Sequence, residues 1–120
     1  MSEPLDRETI ATLFEMGCGD AEWIEDLLRL YVSDTVDRIG QARGLVASGD
    51  ATALRALAHT LKGTSANVGA RRMQSLCSAL ETMAKNNDLS LAADQVAGIV
   101  EEFERVKADI PAVMGTLAVT

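Results

Sequence analysis

Apolar residues return at intervals of three and four along almost the whole chain, and nowhere do they alternate with polar ones over a useful length. That period belongs to the α-helix, in which residues three or four apart share a face. A chain of 120 residues written this way can bury its apolar stripes only by packing helix on helix. The predicted fold class is therefore all-α.

The breaks in the pattern divide it into five helices, over about residues 6–16, 21–48, 51–68, 70–86 and 90–110. The first sets Ile10, Leu13 and Phe14 on one side and ends at Gly17. Asp20 is placed to cap the second, whose stripe runs Ile24, Leu27, Leu28, Tyr31, Thr35, Ile39, Ala42, Leu45 and Val46. Gly49-Asp50 closes that helix and starts the third, which Gly69 is placed to end. The fourth aligns Met73, Leu76, Cys77, Leu80 and Met83 before the polar break Asn86-Asn87-Asp88. The fifth repeats Val96, Ile99, Val100, Phe103, Val106 and Ile110, and Pro111 is expected to bend or interrupt it. Short joints between the four long helices make neighbours antiparallel. The expected architecture is an antiparallel up-and-down four-helix bundle with an additional short N-terminal helix, one domain over residues 1–120.

At this length, with 48% hydrophobic residues, the chain can bury roughly two-thirds of its unfolded surface without covalent staples. Cys18 and Cys77 are far apart and share no short metal-ligand spacing with His59, so a reducing, cytoplasmic setting is expected. No apolar run approaches the 18 or so residues of a membrane span, and the first residues carry no basic-then-apolar targeting pattern. A formal charge of −7 sets the chain against nucleic acid as a partner. Yet Arg55, Lys62, Arg71, Arg72 and Lys85, five of the eleven basic residues, flank one segment. An acidic partner meeting that patch is expected.

The segment holds the single histidine, in Ala58-His59-Thr60-Leu61-Lys62-Gly63-Thr64-Ser65-Ala66-Asn67-Val68-Gly69. At about 100° per residue, Leu54, Leu57, Ala58, Leu61, Ser65 and Val68 cluster in one direction, while His59 points roughly 140° away from it. The imidazole should face water among Arg55, Lys62, Gly63 and Ala66. Lys62, one turn on at i+3, can reach the oxygens of a group held on the ring. A phosphoryl group, with nearly two negative charges and three acceptor oxygens, suits that arrangement. Gly63 costs an exposed helix about 1 kcal/mol relative to alanine, so its low profile asks for a reason. A lone histidine on a solvated face is, by itself, ordinarily only solvated. An enzyme is disfavoured, for there is no second histidine, glycine-rich phosphate loop or nucleotide-binding pattern. A metal bundle lacks its Glu-x-x-His pairs.

With these residues in place, the segment HTLKGTSANVG resembles the histidine-containing phosphotransfer (HPt) domain family of multistep phosphorelays, and the likeness extends over the whole helical layout. The resemblance implies that His59 Nε2 accepts a phosphoryl group from a receiver-domain aspartate and passes it to another. It further implies that Lys62 steadies the phosphate, that Gly63 permits docking, and that Glu81 on the next helix orients the imidazole through Nδ1. Docking is expected on Gly63, Ala66, Arg55 and Val68, with Leu13 or Phe14 of the first helix. The implied partners are the receiver domain of a hybrid histidine kinase and the receiver domain of a response regulator. Those receivers would bring Mg²⁺, and this chain would carry no cofactor. A monomeric phosphocarrier is expected, either a free-standing shuttle or a piece of a larger kinase, the rival being a helical interaction module that never carries phosphate. Glu81 has a second use open to it, a surface pair with Lys85 at i+4. Arg71 and Arg72 are read as serving the start of the fourth helix or steering a partner, the methionines and Cys77 as core filler, and Trp23 and Tyr31 as packing residues.

Overall fold

The protein is described by a computed structural model covering residues 3–118. Those residues form five helices and no strand: α1 (Arg7–Met16), α2 (Ala21–Ser48), α3 (Ala51–Asn67), α4 (Arg71–Lys85) and α5 (Ala92–Ala118). Three of them start on an aspartate whose carboxylate takes up a first-turn N–H: Asp6 accepts from Thr9, Asp20 from Glu22 and Asp50 from Ala53. Gly49 closes α2 in the left-handed region at φ 72°.

Packing follows the stripes. α2 and α4 each lie against both α3 and α5, closing a ring of four helices around one core, and α1 rests on α2. Ile24, Leu28, Tyr31, Thr35, Ile39 and Ala42 of α2 are buried, as are Leu54, Leu57, Ala58, Leu61 and Ser65 of α3. Two of the buried polar residues, Ser65 and Glu102, enter this core in partnership. The Tyr31 hydroxyl lies 2.8 Å from Ser65 Oγ, joining α2 to α3. Glu102 of α5, only 3% exposed, accepts from Arg105 at 2.9 Å and pairs with Arg72 of α4 at 3.4 Å. Arg72 thus ties α4 to α5, while Arg71 reaches Asp6 at the foot of α1.

The chain departs from the periodic reading in three places. First, α5 is not interrupted at Pro111 but continues to Ala118. An internal proline costs about 3 kcal/mol or more, but the extra turns bury Val113 and Leu117, each worth roughly 1.5–3 kcal/mol. Burial is of the size needed to offset the break. Second, Leu5 lies before any helix and is completely buried. Its N–H donates to Asp109, whose two oxygens also receive the Arg7 guanidinium at 2.7 and 2.9 Å, so the start of the described chain is clamped to α5. Third, not every methionine is filler: Met73 is buried but Met16 is 70% exposed, and Met1 lies outside the described residues. Trp23 is also partly exposed, its ring covering Gly17 so closely that an added Cβ would meet it at 2.5 Å.

The joint after α3 places the histidine helix relative to α1. Gly69 adopts φ 78°, accepts a hydrogen bond from Asp6 N at 2.8 Å, and lies so near Thr9 that a Cβ would stand 2.8 Å from it. Only glycine serves there, on both conformational and steric grounds. Both cysteines are free thiols; Cys18 is exposed, and Cys77 is buried in the core with its pKa pushed up to about 12 by desolvation.

Candidate functional site

His59 stands near the middle of α3, on the side away from the buried stripe, with 68% of its side chain exposed. What holds the ring is on the neighbouring helix. The apolar positions Met73, Cys77, Leu80 and Ala84 press α4 onto the core and leave Glu81 on its flank, facing α3. One Glu81 oxygen, Oε2, lies 2.9 Å from His59 Nδ1, and the other, Oε1, lies 2.6 Å from Lys62 Nζ. A single carboxylate, 19% exposed, therefore anchors two side chains that project one turn apart from α3.

The protonation pattern follows from charge. The Lys62 ammonium first, and the hydrogen bond from His59 next, hold the Glu81 carboxyl below its ordinary pKa, against the opposing effect of partial burial. Glu81 is consequently ionised at neutral pH and can only accept hydrogen bonds. The proton between it and the ring must then sit on Nδ1, which in the neutral imidazole leaves the lone pair on Nε2. A ring held by one nitrogen and exposed at the other is equipped to act as a nucleophile toward a group brought from outside.

Lys62 is differently placed from the sequence expectation. At rest it is engaged with Glu81 instead of standing free beside the ring, and Glu81 is occupied by these two partners instead of by Lys85. Arg71 and Arg72 are likewise drawn off, to Asp6 and Glu102. Of the five cations around the segment, these three are paired with carboxylates, so the patch is less positive than the sequence implies. Arg55 is exposed beside the histidine.

The surface around His59 is low. Gly63 is exposed and an added Cβ there would meet nothing within 4 Å, while Ala66 is half-buried. Leu13 and Phe14 are half-buried, packed against the core and showing only part of their surface. Val68 is corrected: at 2% exposure it belongs to the core, as its place in the α3 stripe requires, and is no docking residue. The sequence reading also missed exposed apolar surface on α2. Leu30 and Trp23 are exposed there, and Leu30 lines with Leu27, Thr64 and Asn67 a shallow groove between α2 and α3. Their signal was a second apolar row beside the main stripe of α2.

Among the described residues no group of three or more histidine, cysteine, aspartate or glutamate side chains is placed to hold a metal ion. No helix among them is long and apolar enough to cross a membrane. The family model of the Hpt domain matches residues 26–109, which include α3, α4 and every side chain of the Glu81 cluster. A search of curated proteins found no match. Among solved structures, the chain is similar to histidine-containing phosphotransfer protein B (HptB) from Pseudomonas aeruginosa PAO1, with 29% identity and a TM-score of 0.83 over 97% of this chain and 98% of that one.

Proposed function

The chain belongs to the Hpt domain family, and from that premise we propose that it is a phosphorelay intermediate whose phosphoryl carrier is His59. Its role in histidine phosphotransfer rests on the family match and on the likeness to HptB. The residue assignment rests above all on one observation: an exposed imidazole whose Nδ1 is tied to an ionised carboxylate 2.9 Å away.

In this reading the Nε2 lone pair attacks the phosphorus of a receiver's aspartyl phosphate. The P–O bond breaks, the aspartate leaves as a carboxylate, and the new P–Nε2 bond makes the ring an imidazolium whose proton stays on Nδ1, donated to Glu81. In the onward step a second receiver's carboxylate attacks phosphorus, the P–N bond breaks, and the neutral ring is restored. No proton need enter or leave the site in either direction. The chain supplies position and a matched charge more than covalent machinery. Lys62 stabilises the phosphoryl oxygens, Glu81 orients the ring, and Gly63, Ala66 and Arg55 with Leu13 and Phe14 form the approach for the receiver. The partners are the receivers of a hybrid histidine kinase and of a response regulator, which bring Mg²⁺; the carrier is a cytoplasmic monomer without a cofactor of its own. The scaffold is an antiparallel up-and-down four-helix bundle carrying α1 as an extra short helix.

The test is phosphotransfer from a radiolabelled receiver to wild type and to His59→Gln. Wild type gains acid-labile, base-stable label and the variant gains none. Equal labelling of both would remove His59 as the carrier, and label on neither would leave a docking module.

A further inference from the structure

Lys62 and His59 compete for one carboxylate, and only one of them has another place to go. The ammonium sits 2.6 Å from Glu81 Oε1 and the imidazole Nδ1 sits 2.9 Å from Oε2, so both oxygens of Glu81 are taken in the resting protein. Lys62 follows His59 by three residues on the same helix, a spacing that puts their Cβ atoms about 5–6 Å apart. A flexible four-carbon stem covers that distance with ease. The ammonium therefore reaches either Glu81 or a group on Nε2, and the ring reaches Glu81 alone.

We propose that Lys62 changes partner during the transfer cycle: Glu81 holds it while the imidazole is bare, and the phosphoryl group on Nε2 draws it away, leaving Glu81 to the Nδ1 proton. This rests on His59 being the phosphoryl carrier, and it adds to that reading where the cation resides before and after transfer.

Charge decides the direction. The phosphoryl group brings nearly two negative charges and three acceptor oxygens, against the single charge of the carboxylate. It is also the nearer to solvent, on the exposed side of a ring whose other nitrogen faces α4. Loss of the lysine leaves Glu81 with one donor instead of two. At that same moment the ring becomes cationic, because phosphorus has bonded to Nε2 while Nδ1 keeps its proton, and a charged donor forms the stronger hydrogen bond. Glu81 thus exchanges one cation for another. The ionised carboxylate fixes the tautomer that exposes Nε2, and its resting bond to Lys62 keeps the ammonium from wandering while the site waits. Half-burial of Lys62, with 31% of its side chain exposed, fits a group parked against α4 instead of one reaching into solvent.

The whole chain is phosphorylated with phosphoramidate, in which the P–N bond to ammonia breaks as the bond to Nε2 forms and ammonia departs. Phosphohistidine is scored by ³¹P resonance, and the Lys62 ¹⁵Nζ signal is compared before and after in wild type and Glu81→Gln. The expected result has two parts: phosphorylation shifts the wild-type Lys62 signal, and Glu81→Gln changes that signal in the bare protein but hardly in the phosphorylated one. A Lys62 signal that ignores phosphorylation, or that depends on Glu81 equally in both states, overturns the exchange while His59 remains a carrier. Absence of any phosphohistidine resonance in wild type overturns the carrier reading together with it.

Discussion

Gly63 and Thr35 show how single side chains report on different demands. Gly63 lies on the helix surface with open space where a Cβ would stand, so nothing in the fold asks for glycine. Gly63→Ala should stabilise the chain by about 1 kcal/mol, read as a raised urea midpoint. Gly63→Leu should leave the helical content unchanged and slow transfer from a receiver, because the added bulk meets the partner and not the bundle. A loss of folding in that variant would show that the residue has been misread. Thr35 presents the opposite case. It is wholly buried and its hydroxyl makes no well-formed hydrogen bond, because the Tyr31 hydroxyl it lies near, and weakly influences, is engaged by Ser65. Thr35→Val keeps the shape and removes the stranded oxygen, so stability should rise by about 1 kcal/mol in urea unfolding. A fall would show that the Thr35 hydroxyl contributes through Tyr31.

At the scale of elements, α5 carries the clearest test. Its last turns exist because Val113 and Leu117 continue the buried row of Phe103 and Val106 beyond the proline. Val113→Ala should therefore cost about 2 kcal/mol, measured by chemical denaturation, although it lies on the far side of a residue that ordinarily ends helices. An unchanged midpoint would mean that the segment is held by something other than its apolar face. This helix also marks the boundary of what periodicity can tell. The stripes of α2, α3 and α4 were legible because a helix face repeats along the sequence, and the outward turn of His59 followed from the same arithmetic. The continuation through Pro111 was not, since it depends on how much apolar surface the rest of the bundle offers. Leu5 belongs to no repeat and could not be placed. Glu102 lies beside the stripe of α5, but its burial depends on Arg72 and Arg105 arriving from two helices. The Glu81 flank was readable as a position; that it holds Lys62 as well as the ring required the spacing between α3 and α4.

For the molecule as a whole, the acidic balance makes pH the informative variable. Glu81 is held below its ordinary pKa chiefly by Lys62, Asp109 by the Arg7 guanidinium, and Asp6 by the Thr9 hydroxyl and N–H. A carboxyl whose folded pKa is depressed adds stability that is complete above its unfolded value, near 4, and disappears as pH falls through the folded value. The urea midpoint should hence be nearly flat from neutral pH down to about 5 and drop steeply below about 4. Asp109→Asn, which releases the clamp between the chain start and α5, should lower the neutral midpoint and flatten that drop; an unaltered acid limb would exclude the clamp as its source. Tyr31 governs the other extreme. Burial pushes its pKa up to about 12, so its contribution is complete below the unfolded value near 10 and is lost as pH rises through 12.

The two thiols differ so much in setting that the native chain carries a ready labelling handle. A maleimide dye added at neutral pH will find Cys18, at the turn between α1 and α2, while Cys77 stays sealed and protonated in the interior. One fluorophore per molecule can be installed without engineering any residue, at the opposite end of α2 from the Gly49 joint that leads into the histidine helix.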